Sequence, residues 1–343
     1  MTSINLISAE EVKSIASRID FEKFANKRVV ITGASGLVGG YLTYALIKCT
    51  YFLGSHAPEV LAVSRNGNFP NLHDLKDDPR LKFLSLDLEK EEIKFDYEIL
   101  VHAASTASPT KKISRESILN VNCHTLRLLH KNPGLVKKIL FVSAGEVYGA
   151  DAPRQMKESY HGKIDTQSYR ANYPEAKLAG EKLTSTLNEI GIQGRVARLF
   201  HSFGPGLRSN DGRSFADFLS AASVGNLPVL RSSGNQIRSF LYLEDTIVGL
   251  LSVLNSEICT PINVGSENEL SILQFASKIS SIAGLGGEVL FQSNLSDTIY
   301  SPNNVIVPSN ELLRSIGWNQ SVDVESGIER TLHWLRNLSL PAS

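Results

Sequence analysis

The 343-residue sequence holds only three cysteines, and Cys49, Cys123 and Cys259 stand far apart with no C-x-x-C pair. That spacing excludes a disulfide framework and a cysteine-ligated zinc site, and it reads as free thiols in a reducing compartment. Its eight histidines form no H-x-x-x-H pair and no Cys/His group, so no metal is expected. Net charge is lacking as well. Thirty-five basic and thirty-five acidic side chains cancel, which leaves no bulk field to draw the chain to nucleic acid or an anionic membrane. No apolar run reaches the ~18 residues of a membrane helix. The first residues carry Glu10 and Glu11 and no basic, then apolar, secretory pattern, so a cytoplasmic location is the expectation. What remains is an ordinary globular composition, long enough for one large domain or two lobes.

Against these absences one run stands out. Arg28-Val29-Val30-Ile31-Thr32 leads directly into Gly33-Ala34-Ser35-Gly36-Leu37-Val38-Gly39, and an amphipathic pattern with Leu37, Leu42, Ala45 and Leu46 follows. Strand, tight glycine turn and helix N-terminus in that order form a receiver for a dinucleotide pyrophosphate: the glycines let the backbone approach, and first-turn N–H groups with the helix dipole favour the negative charge.

Strand-like runs recur at Val60–Ser64, Leu81–Leu86, Ile99–His102, Ile139–Ser143 and Arg195–Leu199, separated mostly by helical patterns, notably Leu37–Cys49, Ile118–His130 and Pro174–Ile190. This alternation predicts an α/β fold with a doubly wound parallel sheet and helices on both faces. Residues 1–26 read as a helical extension, with Ser8 and Glu11 spaced as a capping box. After Phe203 the texture turns to Gly/Pro/Asn-rich connections and shorter elements. The expected organisation is a dinucleotide-binding domain over 27–199 and about 238–263, with a smaller mixed α/β C-terminal lobe from about 200–237 and 264–343.

Tyr173-Pro174-Glu175-Ala176-Lys177 is the second chemical signal. With Pro174 in a first helical turn, Tyr173 and Lys177 share one helix face. A neighbouring lysine is expected to lower the phenol's pKa, making Tyr173 a base that takes a hydroxyl proton while hydride leaves the same carbon.

From these residues outward the chain resembles the extended short-chain dehydrogenases that modify nucleotide sugars, the NAD-dependent epimerase/dehydratase group. The resemblance rests on Gly33, Gly36 and Gly39; on Val101-His102-Ala103-Ala104, Asn120-Val121-Asn122 and Ser143-Ala144-Gly145-Glu146-Val147-Tyr148-Gly149; and on Tyr173 with Lys177. It extends through Arg198-Leu199-Phe200-His201-Ser202-Phe203-Gly204-Pro205 and Arg238-Ser239-Phe240-Leu241-Tyr242-Leu243-Glu244-Asp245. Within the group, Asn210-Asp211-Gly212-Arg213 and the stretch Ala104 to Pro109 look most like UDP-glucuronate decarboxylases. The resemblance implies a Rossmann-type sheet, a tightly bound NAD or NADP, a nucleotide-diphosphate sugar substrate and a homodimer packed through the helices that carry Tyr173 and Asn122. It implies cofactor contacts from Gly33, Ser35, Gly36, Leu37, Val38, Gly39, Ser64, Arg65, Asp87, Leu88, Ala103, Ala104, Asn122, Tyr173 and Lys177. Catalysis would fall to Tyr173, Lys177, Glu146 and Ser143, and substrate contacts to Ser105, His201, Arg213 and Arg238.

Departures from the family pattern bear on the reaction. The usual Ser/Thr that bonds the reacting hydroxyl is Ala144. Ser143 is the nearest hydroxyl, though strand alternation turns it to the other face. The aspartate of sugar 4,6-dehydratases is Gly145, while Glu146 remains as acid/base candidate or as a strand-end carboxylate. His201 replaces an asparagine, either as a donor to phosphate that gains charge at mildly acid pH or as a buried neutral ring. Ser64-Arg65 in place of an acidic residue favours NADP. Arg208, Arg213, Arg231 and Arg238 read as a cluster in the second lobe, away from the glycine turn. A 4-keto intermediate opens decarboxylation, epimerisation or elimination. The competing readings are a small-carbonyl reductase and a catalytically impaired NAD(P)-binding protein.

Overall fold

The computed structural model describes residues 5–105, 113–149, 152–208, 212–292 and 305–339. Six strands are β1 (Arg28–Thr32), β2 (Glu59–Ser64), β3 (Leu81–Ser85), β4 (Ile99–His102), β5 (Lys138–Ala144) and β6 (Gln193–Leu199). They join a seventh strand, Ile262–Val264, in one parallel sheet ordered β3-β2-β1-β4-β5-β6 with the seventh beside β6. The seventh strand had no counterpart among the strand-like runs: three residues are too short to show a period. Parallel neighbours require crossovers: α-helices supply them after β1, β4 and β5, a short 3-10 helix at Pro70–Leu75 lies between β2 and β3, and an irregular segment links β3 to β4.

The helices are α1 (Ala9–Arg18), α2 (Leu37–Cys49), α3 (Arg115–Lys131), α4 (Asn172–Leu187), α5 (Ser214–Ser223), α6 (Leu243–Asn255), α7 (Ile272–Ile282), α8 (Glu311–Ser315) and α9 (Val324–Ser339). Strand alternation distributes them. Val29 and Ile31 of β1 pack with Leu42 and Leu46 of α2 and Ile247 of α6 on one face. Val30, between them, packs with Leu126 of α3 and Leu187 of α4 on the other. Both faces are therefore covered, which is why these strands read as continuous apolar runs.

Helix α1 is held to this body by buried charge. Ser8 and Glu11 form the anticipated capping box, and Glu11 also accepts from the Tyr242 hydroxyl at 2.6 Å. In the second lobe α5, α7 and α9 pack on an aromatic group in which Phe240 stacks on Phe275 at 3.8 Å. Strand Ile237–Ser239 lies between Glu269–Ser271 and Val305–Ile306. The sheet order reverses between β1 and β4, and an open parallel sheet has its ligand crevice at the carboxyl ends of the strands flanking that reversal.

Candidate active site

Gly33 follows β1 with φ +70°, and a Cβ there would lie 2.8 Å from the Ala103 backbone at the end of β4. Gly39, in the first turns of α2, is tighter still: its Cβ would stand 2.4 Å from the Gly33 carbonyl oxygen. Strand, turn and helix therefore meet backbone to backbone. Gly36 is the N-cap of α2 and offers no side-chain cap, so first-turn N–H groups at Leu37 and Val38 keep their donors for an anion. A dinucleotide pyrophosphate fits this cradle.

The far wall of the crevice is fixed by a buried relay. Thr32 Oγ1 accepts the Ala104 N–H at 3.2 Å and so donates to His102 Nδ1 at 2.8 Å; His102 Nε2–H then donates to the Val121 carbonyl at 3.0 Å. Burial, reinforced by Lys177, lowers the His102 pKa to about 4 and keeps the ring neutral. Asn122, fully buried on α3, donates to the Ser105 hydroxyl at 3.2 Å and to the Ile118 carbonyl at 2.8 Å. It positions the loop after β4 from beneath.

Tyr173 and Lys177 lie on α4 with Pro174 in its first turn. The expectation that Lys177 lowers the Tyr173 phenol is not met. Burial and the nearby Glu146 carboxylate raise the phenol above its ordinary value of 10, and only Arg213 opposes them. Lys177 is itself buried, donates to the Val142 carbonyl at 2.7 Å and sits 5.7 Å from the Tyr173 ring centroid. Burial lowers its ammonium to about pKa 7, against the pull of Glu146, Glu181 and Cys123. A half-neutral lysine is a poor lever on a phenol.

Glu146 keeps an accessible side chain in the cleft, yet the surrounding walls strip enough water from it to raise its carboxyl, with Arg213, Arg238 and Lys177 pulling the other way. Arg238 is 6% exposed, and burial lowers its guanidinium to about 10 while Glu146 holds it up. Arg213 sits 4.9 Å over the Phe215 ring. His201 lies between Phe215 and Phe240, with a buried Nδ1 that makes no hydrogen bond. Burial, with Arg238 and Arg213 beside it, lowers its pKa to about 3. Of the two readings of this position, burial favours the neutral ring over a charge at mildly acid pH. Tyr173, Lys177, Glu146, His201, Arg213 and Arg238 thus share one electrostatic neighbourhood. Ser143 does not join it: its hydroxyl donates to Glu181 at 2.6 Å, and Arg198 grips the same carboxylate with two bonds of 3.0 and 2.8 Å. Ala144, next along, is 4% exposed and brings no hydroxyl.

Around the cofactor cradle, Asp87 Oδ1 accepts the Glu89 N–H at 3.2 Å and Leu88 is buried in the core. Ser64 is buried, while Arg65 is exposed and lies 3.5 Å from Glu89. Sequence reasoning missed four contacts. Arg208 donates to the Ser35 carbonyl, so this arginine reaches the glycine turn rather than staying away from it; Arg231 instead pairs with Asp217 at 3.3 Å. Glu181 and Glu89 carried no signal beyond helical and turn spacing. Thr106 to Pro109 and Asn210-Asp211 lie outside the described residues.

A parallel sheet with a glycine cradle at its reversal, together with a Tyr/Lys helix and the nearby Arg213 and buried Arg238, defines a dinucleotide-type fold. Comparison with known proteins gives the family. The chain belongs to the NAD dependent epimerase/dehydratase family, whose model matches residues 29–265. It is 31% identical over 313 residues to UDP-glucuronic acid decarboxylase 1 of Xenopus tropicalis, an alignment covering 90% of this chain and 72% of that protein. Solved structures share the fold. UDP-N-acetylglucosamine 4-epimerase of Methanobrevibacter ruminantium superposes with a TM-score of 0.78 at 22% identity, covering 92% of this chain and 99% of that one. UDP-glucuronic acid 4-epimerase of Bacillus cereus, in complex with UDP-glucuronic acid and NAD, does so with 0.74 at 20%, covering 91% and 99%. Among the described residues no helix is long and apolar enough to cross a membrane.

Proposed function

We propose that the chain converts a nucleotide-diphosphate sugar through a transient 4-keto intermediate, with decarboxylation of a UDP-uronate as the leading outcome and NAD as the resident dinucleotide. One observation carries the reading: Tyr173, Glu146, Arg213 and Arg238 lie within electrostatic reach of one another, in a chain that also carries the glycine cradle. The buried guanidinium of Arg238 suits a diphosphate, and a small-carbonyl reductase needs no such group. When bound, the nicotinamide accepts and later returns hydride. Tyr173 takes the C4 hydroxyl proton only if its own phenol proton leaves in the same step, since its raised pKa keeps it protonated, and the neighbouring Lys177 amine, lowered to about 7, is the group that receives it. Lys177, held by Val142, orients the phenol and any ribose hydroxyl beside it. Glu146, with a raised carboxyl, is the group this reading assigns to give or take a proton on the sugar.

The choice among outcomes draws on Gly145 and on the relatives. A Cβ at Gly145 would meet the Phe200 ring at 2.9 Å, so a dehydratase's aspartate does not fit without moving that ring, whereas a decarboxylation needs none. The similarity to UDP-glucuronic acid decarboxylases points the same way. A homodimer through α3 and α4, which pack on each other and leave Leu178 exposed, accompanies this reading.

Mass spectrometry of nucleotide sugars incubated with the purified chain tests the proposal. UDP-glucuronate is expected to lose carbon dioxide, and Tyr173→Phe to slow that loss by about 10²-fold or more. Unchanged turnover in Tyr173→Phe would remove the tyrosine from the mechanism, and inertness toward every uronate would remove the leading outcome.

A further inference from the structure

In an open parallel sheet the adenosine half of a dinucleotide lies over the strand ends beyond the glycine turn, here those of β2 and β3. The end of β2 lacks the acidic residue that accepts from ribose hydroxyls. Ser64 is buried, and its hydroxyl points to the Asn68 carbonyl at 3.5 Å. The neighbouring loop is tied in closely. Leu86 N–H donates to the Ser64 carbonyl at 3.0 Å, and the Ser85 hydroxyl to the Arg65 carbonyl at 3.1 Å. This brings Glu89 alongside Arg65. Glu89 Oε1 lies 3.5 Å from Arg65 Nη1 and accepts from the Ser117 hydroxyl of α3 at 2.6 Å. Its side chain is 17% exposed against 56% for Arg65.

We infer that Glu89 is a specificity-determining residue: the loop after β3 supplies the carboxylate that β2 lacks, and it selects the unphosphorylated ribose. An ion pair with one exposed partner adds little to stability, so its consequence lies in the charge it would present to a bound dinucleotide. Arg65 alone would suit a 2′-phosphate, which carries nearly two negative charges. With Glu89 fixed beside it by Ser117, that phosphate would meet a carboxylate within a few ångströms, and the guanidinium is already shared. A ribose with free hydroxyls meets an acceptor instead. The arginine that seemed to favour NADP is thereby turned against it.

The inference rests on the dinucleotide reading, and the test separates the two. The full chain, freed of nucleotide, is titrated calorimetrically with NAD and with NADP. Wild type is expected to bind NAD about tenfold more tightly or better, and E89Q to gain about tenfold in NADP affinity with NAD shifted less than about threefold. R65A should leave the wild-type ratio nearly unchanged, and should cancel the gain when combined with E89Q. Preference of wild type for NADP, an unmoved ratio in E89Q, or a tenfold loss of NADP affinity in R65A alone would overturn the assignment of Glu89. Failure of wild type to bind either nucleotide would overturn the dinucleotide reading and this inference with it.

Discussion

Replacing Gly39 with alanine sets two effects against each other. Alanine is the better helix former by about 1 kcal/mol, because glycine loses more backbone freedom on entering α2. Against that, the new Cβ would stand 2.4 Å from the Gly33 carbonyl oxygen, 2.8 Å from its carbon and 3.1 Å from the Ala34 nitrogen. All three are backbone atoms, so no rotamer change relieves the contact. Gly33 has little room to retreat, since its own Cβ position is already 2.8 Å from the Ala103 backbone and its φ is +70°. Separating α2 from β1 by most of an ångström is overpacking of the kind that costs about 1–3 kcal/mol and here also displaces the first-turn N–H groups. With the propensity gain deducted, Gly39→Ala should lower stability by up to about 2 kcal/mol, or up to about 3 °C in Tm for a chain of this size, and weaken NAD binding by about tenfold or more. Gly36→Ala is the comparison: φ is −82° and its nearest contact is 3.2 Å, so stability should barely move while the approach of the pyrophosphate is hindered. Thermal melts and calorimetric NAD titration read both effects. A Gly39→Ala chain as stable as wild type, with unaltered NAD affinity, would refute the steric argument.

Lys177→Met should abolish turnover and yet stabilise the nucleotide-free chain, because it removes a buried amine whose pKa falls from 10.5 to about 7 on folding. Between those values the unfolded chain holds the proton and the folded one does not, so the wild type gains stability as pH rises through that window and carries the full penalty below pH 7. The stabilisation, on the order of 1–3 kcal/mol at pH 6 after losing the bond to Val142, should shrink toward pH 10; urea melts showing a pH-independent difference would contradict it. Ala144→Ser, at a 4% exposed site at the end of β5, should raise turnover about tenfold, the worth of one added hydrogen bond to the reacting hydroxyl. Steady-state rates unchanged by it would mean that another group already fills that role.

Much of the frame was legible in the chain itself. Six of the seven sheet strands and the helices α2, α3 and α4 follow from local apolar period and from glycine and proline placement, because those signals act over a few residues. Their bounds moved by only a few residues: Ile139–Ser143 became Lys138–Ala144, and Pro174–Ile190 became α4 followed by a short tight turn of helix at Asn188–Ile190. The strand Ile262–Val264 was not legible, since it is a strand only because β6 offers it an edge. Resemblance supplied the roles of Glu146, Arg213 and Arg238, whose spacing alone says nothing.

The glycines, the Tyr173/Lys177 spacing and the apolar strand ends were determined by the sequence, since each rests on backbone freedom, helical repeat or burial that neighbouring residues dictate. Only the tertiary structure decided the charges. Whether Lys177 keeps its proton, whether His201 gains one, and whether Arg65 is free for a phosphate all depend on water removed and on partners brought from distant segments: Val142 and Glu181 for the first, Phe215, Phe240 and Arg238 for the second, Glu89 and Ser117 for the third. Desolvation and Coulomb interactions are set by what lies within a few ångströms in space, which is why a motif can name these residues but does not carry their state.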